Sequence, residues 1–98
     1  MWLKINQFYS DCSVDENTYY LRFSKMVEID VSDEDNYWFV GVWTEQHRHR
    51  IAYFKEKNEA ERLAEKITKV CLADIPTAAT LLPNPVLTIE QIEQMNFD

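Results

Sequence analysis

The sequence predicts an α+β fold: an antiparallel sheet of about four strands packed on one amphipathic helix, with a Pro-containing C-terminal extension that ends in a short helix. Apolar side chains recur at steps of three and four over residues 58–72, and strand-like segments precede them. All three prolines fall after residue 75. We therefore divide the chain into an α+β domain, residues 1–75, and an extension, residues 76–98, that docks on the domain or on a partner.

The central helix is predicted from Asn58 to Leu72. Its apolar residues share one face, and charged or polar residues fill the other. Asn58 is a good N-cap, and Glu61, three residues on, has the spacing of a capping box. Because a helix with one apolar stripe must bury it, we expect Leu63 and Ile67 to lie against the sheet.

Four segments have the alternation or the aromatic and β-branched content of strands: residues 2–8, 19–31, 37–44 and 48–55. We expect a polar loop at 9–17, a bend or bulge near 24–26, and a polar turn at 32–36. The third strand is apolar on both faces and is predicted to be central. Gly41 in its middle marks a bulge or a place where a bulky neighbour crosses.

The second face of this central strand needs a cover of its own, since one helix can cover only one face. The sequence leaves three candidates open: the C-terminal extension, a second subunit or a ligand.

The extension is predicted to end in a short helix. Thr88 and Gln91 have the capping-box spacing, and Ile89, Ile92 and Met95 form an apolar edge. A helix this short is marginal in water by itself, so we expect the edge to dock on apolar surface.

The charge distribution limits the classes of partner. Seventeen acids against ten bases give a formal net charge of −7. An acidic surface repels phosphate backbones, so nucleic-acid binding is not expected. The acids concentrate between Asp11 and Asp35, where only Arg22 and Lys25 oppose them. This concentration suggests one alternative function, an acidic inhibitor that imitates nucleic acid on a basic protein.

The sequence indicates a cytoplasmic protein. No segment is long and apolar enough to span a membrane, and residues 1–13 lack the basic start and apolar run of a signal peptide. Cys12 falls in the predicted loop and Cys71 on the apolar face of the helix, so we expect no disulfide. Neither cysteine belongs to a C-x-x-C pair, and no metal site is predicted.

A run of alternating histidine and arginine is the candidate binding site. In a strand, His47 and His49 would lie on one face and Arg48 and Arg50 on the other. Two histidines on one face can hold a metal, but the sequence shows no third or fourth ligand. The two arginines could instead bind a phosphate or a carboxylate.

A structural interpretation of residues 47–50 is simpler. In it, the cations at a hairpin end balance acids on the adjacent strand, such as Glu28 and Asp30. The aromatic residues nearby have the same two interpretations. Trp38 and Trp43 could line a binding face, or they could belong to the core of a small sheet.

No catalytic motif is present, because a single glycine excludes a phosphate-cradling loop and no G-x-S-x-G occurs. We therefore predict a small soluble non-enzymatic protein-interaction module whose partner is another protein or a second copy of itself. The acidic inhibitor and a ligand- or metal-binding domain built on residues 47–50 are the alternatives. No cofactor is predicted, and the sequence does not identify a small-molecule ligand.

Overall fold

The structure, a computed structural model, describes residues 1–72 and 86–96. The elements follow one another as β1 Trp2–Phe8, β2 Val14–Arg22, β3 Glu28–Glu34, β4 Tyr37–Trp43, β5 Arg48–Phe54, α1 Lys57–Leu72, β6 Val86–Thr88 and α2 Ile89–Glu93. The predicted α+β class is confirmed. The three prolines of the extension lie outside the described residues. No described helix is long and apolar enough to cross a membrane.

The described strands divide into two three-stranded sheets rather than joining in one. The first sheet has the order β2-β1-β6, with β1 antiparallel to β2 and parallel to β6. The second sheet has the order β3-β4-β5 and is antiparallel throughout. β4 is therefore central in its sheet, as predicted.

The division arises at the bend predicted near residues 24–26. One turn of 3-10 helix, Phe23–Lys25, carries the chain from the first sheet to the second. The single strand predicted over 19–31 was wrong, because apolar alternation resumes after the turn in a different sheet. The loop predicted at 9–17 is also shorter, since the edge strand β2 begins at Val14, which pairs with Phe8 of β1.

A two-residue turn joins β3 to β4. Asp35 and Asn36 have φ values of 50° and 72°, which is the pattern of a type I′ hairpin turn. Asp and Asn tolerate this left-handed region better than other non-glycine residues because their short side chains can hydrogen-bond locally. Glu34 and Tyr37 close the turn as the last paired residues of the hairpin.

The helix α1 covers one face of the second sheet. Val40 and Val42 of β4 are fully buried on this side. The apolar face of α1 packs against them with its buried residues Ala60, Leu63, Ile67 and Val70. The predicted burial of Leu63 and Ile67 is confirmed.

The opposite face of β4 is covered by the chain itself. Phe39 is 0% exposed. The ring of Tyr53 lies 5.9 Å from the Phe39 ring, and the guanidinium of Arg50 lies 5.8 Å from it. Phe8 and Tyr37 meet Tyr53 edge-on at ring distances of 5.2 and 5.4 Å. Side chains of β1, β4 and β5 thus supply the cover that the sequence left open.

The C-terminal helix docks on the same chain. The side chain of Thr88 accepts a hydrogen bond from the backbone N–H of Gln91 at 3.2 Å, and Thr88 N–H donates to Gln91 Oε1 at 2.9 Å. The predicted capping box is therefore confirmed. Ile92 is fully buried, and Ile89 and Met95 pack against the same core.

Candidate functional site

The predicted arginines lie on the face of the second sheet opposite α1. Arg48 donates from Nε to Asp30 Oδ1 at 3.1 Å, from Nη1 to Glu34 Oε2 at 3.0 Å, and from Nη2 to Ser32 Oγ at 2.7 Å. Arg50 donates from Nη2 to Glu34 Oε1 at 2.8 Å. Both guanidinium groups of β5 therefore reach across β4 to bind acids of β3. Asp30 is one of the partners suggested by the sequence, and Glu34 is the other acid involved.

Gly41 makes room for this ion cluster, which consists of Asp30, Glu34, Arg48 and Arg50. A Cβ at this position would lie 2.4 Å from both Arg48 Nε and Asp30 Oδ1, far inside van der Waals contact. The pairing of β4 with β5 also shifts register between Val40 and Gly41. The glycine is thus both beside a bulge and at the point where a bulky side chain crosses the strand, as its position in the sequence suggested.

The ion cluster predicts a specific loss of stability in acid. Hydrogen bonds from Arg50, and then from Arg48 and Ser32, lower the pKa of Glu34 from its ordinary 4.5 to about 2, against the opposing effect of burial. As the pH falls, Glu34 is therefore protonated in the unfolded chain before it is protonated in the folded chain. The stabilisation is complete above about pH 4.5 and is lost as the pH falls through the folded pKa near 2.

We expect Glu34→Gln to weaken this dependence, so that its free energy of unfolding falls less than that of the wild type between about pH 6 and about pH 3. Urea unfolding at several pH values measures the difference. Glu16→Gln, at an exposed glutamate on β2, is the matched control and should follow the wild type. Parallel curves for wild type and Glu34→Gln would contradict the assignment.

The two histidines differ in their surroundings. His47 is exposed, whereas His49 is half-buried with Nδ1 at 2.8 Å from Gln7 Oε1. Burial, and then the charge of His47, lower the pKa of His49. Within residues 1–72 and 86–96, no three His, Cys, Asp or Glu side chains are placed to hold a metal ion.

The two tryptophans lie on opposite faces of β4. Trp38 faces α1, where Lys57 Nζ lies 5.3 Å from the centre of its ring. Trp43 has the opposite parity, lies on the arginine side and is 37% exposed. The six residues singled out in the sequence therefore do not converge on one pocket.

A groove that the sequence did not reveal runs between β3 and α1. It has a volume of about 350 Å³ and is lined by Ile29, Val31, Glu61, Ala64, Glu65, Thr68 and Lys69. Its apolar wall consists of the two β3 residues and Ala64, and charged helix residues form its rim. The apolar alternation of β3 was visible in the sequence. Its position at an edge, next to the helix, depends on the separation into two sheets.

The backbone of β3 is open along this groove. In a two-residue hairpin the pair that closes the turn, here Glu34 and Tyr37, exchanges both hydrogen bonds, and bonded and non-bonded pairs then alternate. Ile29, Val31 and Asp33 accordingly direct their N–H and C=O groups away from β4 and toward the outer edge. No described strand pairs with that edge.

A second cleft, of about 410 Å³, separates β1 from β5 beneath β6 and α2. It is lined by Lys4, Ile5, Asn6, Phe8, Ile51, Ala52, Tyr53, Phe54, Thr88, Ile89, Glu90 and Glu93. Its lining mixes polar and apolar residues.

Comparisons with protein-family models, with curated proteins and with solved structures find no match to this chain. Any functional conclusion must therefore come from the geometry of the chain itself.

Proposed function

We propose that the chain is a small soluble protein-interaction module that catalyses no reaction and binds a segment of a partner protein in the groove between β3 and α1. One observation supports this proposal above the others: an apolar groove of about 350 Å³ lies directly beside a strand edge whose backbone groups have no partner strand among the described residues. Grooves next to open sheet edges are a recurrent mode of peptide recognition.

We place this module in the cytoplasm. Cys12 and Cys71 are both free thiols. Free cysteines fit a reducing compartment, where disulfides rarely persist.

The acidic-inhibitor alternative has less support. It needs the carboxylates between Asp11 and Asp35 to form one free acidic surface. Asp30 and Glu34 are instead paired with arginines, and the remaining acids lie on β2, on β3 and, for Asp11 and Asp35, in turns. Pairing removes the free negative charge that a basic groove would need to recognise.

Site-specific photo-crosslinking tests the proposed function. A photoreactive residue at Thr68, on the groove, should capture a discrete partner protein in cells that produce the chain. The same residue at Thr18, exposed on β2, should not. Ala64→Phe fills the groove and should abolish the Thr68 adduct, with an unchanged circular dichroism spectrum as the check that the variant is folded.

Adducts that form equally from Thr68 and Thr18, or from neither, would contradict a specific groove. So would an adduct at Thr68 that persists in folded Ala64→Phe.

A further inference from the structure

We infer that the segment bound in this groove is an extended, positively charged strand that pairs with β3 through its backbone. The inference rests on the proposed function and names the chemistry of the partner. It follows from three properties of the site: the direction of the backbone groups, the shape of the apolar wall and the sign of the surrounding charges.

The backbone determines the conformation of the partner. Ile29, Val31 and Asp33 present N–H and C=O groups at every second residue along the edge of β3. Only an extended chain offers complementary groups at the same spacing of two residues. A helix satisfies its own backbone groups and would leave those of β3 without protein partners.

The apolar wall determines which side chains the partner carries. The side chains of Ile29 and Val31 point toward α1, because they lie opposite Val42 and Val40 in the hairpin register. Partner residues opposite these two would also point into the groove, against Ala64. Short aliphatic side chains such as valine suit this space, while the intervening residues point to the other face of the sheet.

The surrounding charges determine the sign of the partner. β3 carries four acids and no base, of which Asp30 and Glu34 are neutralised by arginines. On the rim, Glu61 is paired with Lys57 at 3.6 Å, Glu65 adds a carboxylate, and Lys69 is the one base among the lining residues. The intervening side chains of the partner point to the opposite face of the sheet, where Glu28 lies on β3, and lysine or arginine there complements this acid.

The same charges argue against a second copy of this chain at the edge. Pairing two β3 strands would bring the acids of both copies together, and like charges across a strand pair are destabilising. The formal net charge of −7 adds repulsion between copies and attracts a cationic segment.

A fluorescently labelled peptide of about nine residues that alternates lysine and valine is the probe, and fluorescence anisotropy measures its affinity. Two further versions of the peptide are N-methylated on the backbone. The first is methylated at every valine, and the second at every lysine. Strand addition predicts that one version binds at least about tenfold more weakly, while the other stays within about twofold. Loss with methylated valines indicates an antiparallel strand, and loss with methylated lysines a parallel one.

Charge is tested in the same assay. A peptide with glutamate in place of lysine should bind at least about tenfold more weakly. Glu28→Lys, at an exposed acid of β3, should weaken binding of the lysine peptide, whereas Glu16→Lys on β2 serves as the matched control and should not. Melting curves confirm that both variants are folded.

Equal affinities of the two N-methylated peptides would overturn strand pairing. If no alternating peptide binds but Thr68 still crosslinks a partner, the extended cationic partner is wrong and the proposed function stands. If Thr68 yields no specific adduct and no peptide binds, the proposed function itself fails.

Discussion

Ile67→Ala is expected to lower the free energy of unfolding by about 2–5 kcal/mol, and Leu63→Ala by a similar amount. Both side chains are almost completely buried between α1 and the second sheet. Truncation removes apolar area from the core and leaves a cavity that the neighbouring strands can close only in part. The helix itself is not weakened, because alanine is the best helix former. The loss therefore reports packing alone.

Urea titration measures this effect. An unchanged slope of the transition shows that the shift of the midpoint reports a change in stability. Glu65→Ala, two residues from each of them on the exposed face, is the control and should change stability by less than about 0.5 kcal/mol. Identical midpoints for wild type, Ile67→Ala and Leu63→Ala would show that α1 does not pack on the sheet.

The helix could be predicted well because its signals are local. Apolar residues at helical spacing select the buried face, and the structure buries Ala60, Leu63, Ile67 and Val70 on it. The C-terminal capping box is a local signal as well, since Thr88 and Gln91 satisfy each other. Each pattern is set by residues three or four positions apart, so tertiary context had little opportunity to override it.

The sheets were harder to predict because pairing is not local. Alternation continues from Tyr19 to Val31, yet a single 3-10 turn in between sends the two halves to different sheets. Residues 14–17 gave no apolar alternation, because only the first of them is apolar and an edge strand need not bury a face. Alternation reports which side chains face the core and does not report which strand lies beside which.

The candidate groove could not be predicted from the sequence for the same reason. Ile29 and Val31 belong to the strand pattern, and Glu61, Ala64 and Glu65 belong to the helix pattern. Their meeting depends on β3 being an edge strand adjacent to α1, which is a property of the sheet order. The arginines illustrate the reverse case. Their spacing was conspicuous, but the acids that bind them, Asp30 and Glu34, come from β3 on the far side of β4.

Phe39→Ala is expected to cause the largest loss of all, about 3–5 kcal/mol in the free energy of unfolding. Phe39 is fully buried on the face of β4 that α1 does not cover. Its ring supports Tyr53 and the guanidinium of Arg50, so truncation leaves a cavity beneath both. Urea titration measures the loss, and Tyr20→Ala, at an exposed aromatic of the first sheet, should cost less than about 1 kcal/mol.

The dependence of the unfolding midpoint on protein concentration distinguishes cover of Phe39 by the same chain from cover by a second subunit. If Tyr53, Arg50 and their neighbours cover Phe39 within one chain, the unfolding midpoints of wild type and Phe39→Ala are both independent of concentration. If a second copy supplied the cover, the wild-type midpoint would rise with concentration, because association stabilises only the folded state. A concentration-dependent midpoint, or a loss no larger than that of Tyr20→Ala, would mean that the aromatic and arginine side chains of this chain are not sufficient to seal the second face of its central strand.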